Sequence, residues 1–387
     1  MKSQNIFLFL FAMFNFQFLF AQNILKKEKN LDSLFQKTME NELLLNALFR
    51  LESKTLEFQK SWAHGHFNDG KKVEINSPFH IASLGKTFTA VTIAKLVEEG
   101  KLSYDSPMHH YLPKKFTQGL HIWQGKEWTQ EITVSHLLQH RSGLSDYFED
   151  LTSNGENMLA VAFENPDKFW TPQEILDYYK AEFHARFPPG TDYHYTDTEY
   201  LLLGLIIEEL EEKPLHKVFQ ERIFSPLGMV NTSMHLRSKP FEQPDTPLTE
   251  IYFGNEEVSR MKSLSSDWAG GGIQSTTMDI LIFLRSLFEG KLIQKKSLEI
   301  MQEWTPASKG TYYGFGLMQW KLKELFPSLP KLTLFGHHGF TSSFMYYCPE
   351  LDAYFSGTFN QSAFQKGSME FLVKVLMELK NTKFRLR

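Results

Sequence analysis

The sequence predicts an α+β fold, with one antiparallel sheet built from both ends of the chain, flanked by helices, and an all-helical subdomain inserted. Three observations carry this. Strand-like runs lie near the two ends; the stretch from Tyr104 to about Met261 is helical, loop-rich and punctuated by prolines; and an apolar helix closes the chain. Strands split by so long a helical insertion pair most simply in one sheet with the insertion outside it.

A short amphipathic helix is expected around Leu31 to Met39, followed by a hairpin of Leu43 to Leu51 and Thr55 to Trp62 turning at Ser53-Lys54. Next, Ala90, Ile93, Ala94 and Val97 repeat at helical spacing, with Gly100 as the stop. Inside the insertion, helices are expected at Thr133 to His140, Pro172 to Phe183 and Glu199 to Glu212, with an irregular connection over Lys239 to Thr249. Strands return at Thr311 to Leu322, Lys331 to Phe335, Thr341 to Tyr347 and Ala353 to Phe359, before a helix from Met369 to Lys380.

Composition narrows the function. Of 387 residues, 42% are hydrophobic and 22% charged, which is ordinary globular usage and excludes wholesale disorder. Lysine plus arginine number 41 against 45 acids, so the chain lacks the basic field that nucleic acid requires. The single cysteine, Cys348, excludes an internal disulfide and a cysteine-based zinc site; within its aromatic run it reads as a buried structural thiol.

Lys2, the apolar run Ile6 to Phe20 and the small residue Ala21 form a secretory leader layout over residues 1–21. The run is short for a membrane span, so the expected product is exported, periplasmic or extracellular, and touches a membrane only if the leader is retained. The expected domain then covers 22–387, with a sheet lobe at about 31–103 and 262–387 and a helical lobe at about 104–261.

The sharpest local feature is Ser83-Leu84-Gly85-Lys86 at the opening of the first long helix. Residues three apart stack on one helix face, so the Lys86 amine can reach the Ser83 hydroxyl and, when neutral, take its proton. A second match, Ser328 to Lys331, contains Pro330, which forbids a regular helical turn there. Two further motifs follow. Tyr195-Thr196-Asp197 lies after a Pro188-Pro189-Gly190 turn and leads into a helix, and Gly336-His337-His338-Gly339 precedes a strand.

The order and wide spacing of these motifs resemble the serine β-lactamase and penicillin-binding-protein superfamily, most of all its class C β-lactamase, D,D-carboxypeptidase and esterase branch. The segments His80 to Lys86, His136 to Leu144 and Ala269 to Gly272 add to the likeness. The resemblance implies a β-lactamase/transpeptidase-like fold and a cofactor-free serine hydrolase. It makes Ser83 the acylated nucleophile and Lys86 with Tyr195 the proton-shuttling pair, while the Ser83 and Phe340 N–H groups form the oxyanion hole. It also assigns Asp197, His337, His338 and Gly339 to substrate binding, Gly339 letting substrate approach the strand edge.

Two positions depart from the commonest pattern. His337-His338 stands where many relatives have Lys-Thr, so a substrate carboxylate would meet only partial charge. Asp197 stands where Asn is usual, and an ionised carboxylate cannot donate a hydrogen bond to an acyl amide carbonyl. The expected substrates are therefore small molecules or peptides, including cell-wall-derived ones: D-amino-acid peptides, esters or related amides. The alternatives are a D,D-carboxypeptidase or β-lactamase proper, or a sensor module that acylates without turnover. His136 and His140 are four apart, a possible metal spacing without an identifiable third ligand, and no metal site is expected. His64, His66, His109 and His110 read as exposed polar residues. The loops Asp146 to Trp170 and Lys239 to Met261 are expected to shape the cleft.

Overall fold

A computed structural model of the chain describes residues 24–383; the leader reading falls outside them. Helix α1 covers 24–38 within this range, beginning earlier than the periodicity suggested. Strands β1 (Asn46–Ser53) and β2 (Phe58–Gly65) form the expected hairpin, displaced along the chain. The displacement has a local cause. The Asn41 side chain accepts from the Leu43 N–H at 3.1 Å and turns the chain, leaving Leu43 and Leu45 exposed. Ser53 in turn stays in β1, its hydroxyl donating to the Leu351 carbonyl at 2.8 Å.

Helix α2 (Gly85–Glu98) follows a 3₁₀ turn, Ala82–Leu84, and is buried on nearly every side until Gly100 turns the chain at φ +71°. The inserted region carries short capped helices, among them Val134–Leu138, α3 (Pro172–Glu182) and α4 (Asp197–Glu211). Thr171 and Glu174 close a reciprocal capping box on α3, and Thr196 caps α4. Two short β-ribbons, Ile122–Trp123 with Lys126–Glu127 and Tyr252–Phe253 with Glu256–Glu257, add strand pairing to this largely helical region. Helix α5 (Thr277–Phe288) then packs on the sheet.

The remaining strands of the large sheet are β3 (Thr305–Ser308), β4 (Thr311–Tyr313), β5 (Met318–Lys321), β6 (Thr333–His338), β7 (Phe344–Cys348) and β8 (Ala353–Thr358), while Phe79–His80, Ile273–Ser275 and Ser233–Met234 pair in a small sheet of their own. Helix α6 (Gln365–Lys383) follows. The eight strands form one antiparallel sheet in the order β3-β4-β5-β6-β7-β8-β1-β2. The stretch expected as a single strand, Thr311 to Leu322, is instead the hairpin β4–β5. Its bend needs Gly316 at φ +65°. The unforeseen β3 contains Pro306, which an edge strand tolerates because no inner neighbour needs its N–H.

Alternation along β1 divides the core. Ala47, Phe49 and Leu51 face α1 and α6, where Phe49 stacks on Trp62 at 5.0 Å and meets Phe371 edge-on at 5.0 Å. Leu48 faces the other core, shared with α2, α4 and α5. Each such buried side chain contributes about 1.5–3 kcal/mol. The sheet is thereby held rigid between two cores, with β6 facing the start of α2.

Candidate active site

Ser83 projects from the tight turn before α2. The preceding Ala82 has a left-handed backbone, φ +49°, and its N–H donates to His80 Nδ1 at 3.3 Å. Such a conformation costs an alanine about 1–2 kcal/mol and persists only where the surroundings impose it. Here two glycine backbones impose it. A Cβ on Gly271 would lie 2.5 Å from the Ala82 carbonyl carbon, and one on Gly339 would lie 2.8 Å from Ala82 Cβ. At Gly339, where substrate was expected to approach the strand edge, the direction a side chain would take is filled by the nucleophile turn and the Ser343 hydroxyl.

Lys86 Nζ reaches Ser83 Oγ at 3.1 Å, as the helical spacing required. It also pairs with Asp197 Oδ1 and is fully buried. Burial pulls the Lys86 pKa down, but the charges of Asp197, Asp267 and Asp146 outweigh it, so the net shift is upward and the resting amine is protonated. Tyr195 lines the same cavity as Ser83, with Lys86 Nζ 4.9 Å from its ring centroid. Burial first, then the Asp197 charge, drive the phenol pKa well above its ordinary value. The turn and the segment after β6 also bring Ser83 and Phe340 to one cavity, and neither backbone N–H has an acceptor among the described residues.

Asp146 organises the opposite wall. Its carboxylate accepts from the N–H groups of Asp197 at 2.8 Å, Phe148 at 3.2 Å and Glu149 at 3.0 Å, tying the start of α4 to the loop before it. The cavity between the walls has a volume of about 320 Å³. Phe148, Tyr193, Phe253 and Phe340 supply aromatic surface, and Asp197, Asp267 and Glu149 supply carboxylates; among the described residues no lysine or arginine lines it. Burial, then the charge of Asp197, raise the Asp267 pKa; partial desolvation and Asp197 likewise raise that of Glu149.

The two histidines of the third motif part company, as neighbours on a strand do. His338 lines the cavity, its Nδ1 3.1 Å from the Tyr346 hydroxyl, with burial lowering its pKa to about 4. His337 was expected to meet substrate, yet it is fully buried and absent from the cavity wall. Its Nδ1 lies 2.7 Å from the His338 carbonyl, so Nδ1 carries the hydrogen, and Nε2 accepts from the Tyr313 hydroxyl at 3.1 Å. Burial keeps the ring neutral.

The beta-lactamase family model matches residues 47–371. The chain belongs to the Beta-lactamase family. Within it, penicillin-binding protein 4* of Bacillus subtilis (strain 168) is 27% identical over 304 residues, covering 75% of this chain and 63% of that protein, so the chain spans less than two thirds of its length. The D-amino acid amidase of Ochrobactrum anthropi SV3 superposes with a TM-score of 0.76 at 25% identity, covering 92% of this chain and 99% of the amidase. A D-stereospecific amidohydrolase from a Streptomyces species superposes with a TM-score of 0.68 at 25% identity, covering 82% of this chain and 90% of that one. The family thus includes hydrolases, the D-amino acid amidase and the D-stereospecific amidohydrolase among them.

As a member of that family, the chain carries acidic groups that its motifs did not point to. Asp267 lies two places before the Ala269-Gly270-Gly271-Gly272 run and Asp146 two places after Ser142-Gly143-Leu144, so position beside a recognised segment was the available signal. The metal reading of His136 and His140 dissolves: His136 Nδ1 accepts from the Thr133 N–H within a capping box, and His140 lies beyond the helix at φ +59°. Among the described residues, no group of three His, Cys, Asp or Glu side chains could hold a metal. Cys348 is buried, its thiol pKa pushed up by burial.

Proposed function

We propose that the protein is an exported serine hydrolase that forms an acyl-enzyme on Ser83. Its substrates on this reading are amides, short peptides or esters of D-amino acids with a free α-amino group. One observation carries the reading: the serine–lysine–tyrosine cluster lies at a cavity whose charged lining groups, among the described residues and apart from the buried Lys86 ammonium paired with Asp197, are carboxylates. An ammonium is favoured there and a carboxylate repelled. The D-amino acid amidase and D-stereospecific amidohydrolase among its relatives support the same substrate class.

Ser83 Oγ attacks the acyl carbon, and the carbonyl oxygen takes up negative charge between the Ser83 and Phe340 N–H groups, each worth about 3 kcal/mol in such a hole. The serine proton passes to the coupled Lys86–Tyr195 pair and from there to the leaving amine or alkoxide. Water then attacks the ester carbon by the reverse proton route, freeing Ser83. Because resting Lys86 is charged, the base form must be made by losing a proton, and the rate rises toward alkaline pH.

Intact-mass analysis after a fluorophosphonate and after D-phenylalanine amide, with its N-acetyl form as comparison, tests this. An adduct on Ser83 and preferred turnover of the free amine are expected. Preference for the N-acetyl form or for a free carboxylate would move a carboxypeptidase or β-lactamase reading ahead, and a stable adduct without turnover would identify a sensor. Export rests on the leader layout; secreted protein starting near Gln22 is the expected mass result, and an intact Met1 would overturn it.

A further inference from the structure

Behind Tyr195 lies a buried pair that the reaction above does not use. The His140 ring sits with centroids 4.3 Å from both Tyr195 and Tyr313, and it is fully buried. His140 Nδ1 lies 2.7 Å from Glu199 Oε2, on the first turn of α4, and neither side chain is exposed. Two backbone groups decide where the proton is. The Thr196 N–H points at His140 Nδ1 from 3.2 Å, so Nδ1 must offer a lone pair and cannot carry its own hydrogen. The Ser142 N–H donates to Glu199 Oε1 at 2.8 Å, leaving Oε2 as the oxygen that faces the ring. Two acceptors 2.7 Å apart need a hydrogen between them.

We propose that Glu199 is held as a neutral carboxylic acid whose O–H shares the single His140 Nδ1 lone pair with the longer Thr196 N–H contact, and that this bond seats the ring against Tyr195. His140 and Glu199 are thus positioning residues for the proton-transferring phenol. The phenol's role rests on the acyl-enzyme reading; the protonation of Glu199 does not. Burial favours the neutral form on both sides, raising the carboxyl and lowering the imidazole. An ionised Glu199 would also add a fourth carboxylate behind the three that already surround Lys86.

The test compares Glu199→Gln with Glu199→Ala. A glutamine amide donates to Nδ1 as the acid does, while its carbonyl still accepts from Ser142. The Gln variant should therefore keep kcat within about threefold of the parent. The Ala variant should lose kcat on the order of 100-fold with KM little changed, the scale of a misplaced catalytic group. A Gln variant as impaired as the Ala variant overturns the neutral acid, and a folded Ala variant with parental kcat overturns the positioning role. Should the Ala variant not fold, His140→Phe carries the same kcat test. Isotope-edited infrared spectra at neutral pH read the carboxyl directly. A protonated-acid band that vanishes in the Gln variant is expected, and a carboxylate band there refutes the proposal. Failure of the acyl-enzyme reading shows separately, as fluorophosphonate labelling of a serine other than Ser83.

Discussion

The two walls of the cleft differ in the kind of charge they offer. The wall made by the nucleophile turn and the end of β6 presents backbone N–H groups and neutral histidines, held in place by glycine contacts at Gly271 and Gly339. The wall made by the loop at 146–150, the start of α4 and Asp267 presents carboxylates around one buried ammonium. Developing negative charge is therefore met by dipoles on one side, where no ion must be desolvated. Fixed charge is confined to the other side, where it can select a cation and set the proton affinity of Lys86. Separating the two jobs lets specificity change without moving the nucleophile.

The largest effect should come from the donor wall. Ser83→Ala is expected to abolish labelling by an acylating probe, whereas Ser328→Ala, in the proline-containing copy, leaves it unchanged; mass mapping of the adduct decides this. His337→Lys comes next. It would place an unpaired ammonium where His337 is sealed against Tyr313, at a cost of about 3–5 kcal/mol in unfolding free energy. Denaturant titration reads that loss. Improved selectivity for carboxylate substrates in a stable variant would show that this site is open after all.

Asp197→Asn probes the acidic wall. Asp197 is the strongest group raising the Lys86 pKa, so its removal lowers that pKa, frees the amine at lower pH and moves the alkaline rise in acylation rate down by about 1–3 pH units. Stopped-flow acylation across pH checks the direction, and an upward or absent shift would mean that Lys86 is not the titrating base. The smallest effect is expected for Glu149→Gln at the exposed mouth. KM for an amine-bearing amide should rise on the order of fivefold relative to its N-acetyl form, the scale of about 1 kcal/mol for an exposed pair. The parent should bind the amine better as pH climbs through the raised Glu149 pKa, and the variant should lose that dependence.

Sequence and structure agree best where geometry is local. Ser83 and Lys86 lie one helical turn apart by covalent necessity, and the helices of the insertion carry their caps in the sequence, as Thr171 with Glu174 shows. The Thr311 to Leu322 hairpin was hidden because its apolar and aromatic residues continue across the bend, and only the Gly314-Phe315-Gly316 spacing marked it. The role of His337 was illegible because which face of β6 points to the cleft depends on register with β5 and β7. The His140–Glu199 contact was equally out of reach. It joins residues 59 positions apart, and nothing in either local segment names its partner.

Strand β1 lies between β2, its immediate neighbour in the chain, and β8, which is made some 300 residues later. Half of the β1 hydrogen-bonding edge therefore stays open until the end of the polypeptide arrives. The hairpin β1–β2 can form at once, but it is marginal alone and exposes one apolar side meant for α6. Folding of the sheet is thus a late, long-range closure, slow by the measure of sequence separation. A chain stopped before Ala353 would carry a bare β1 edge, open to pairing with other copies and to proteolysis.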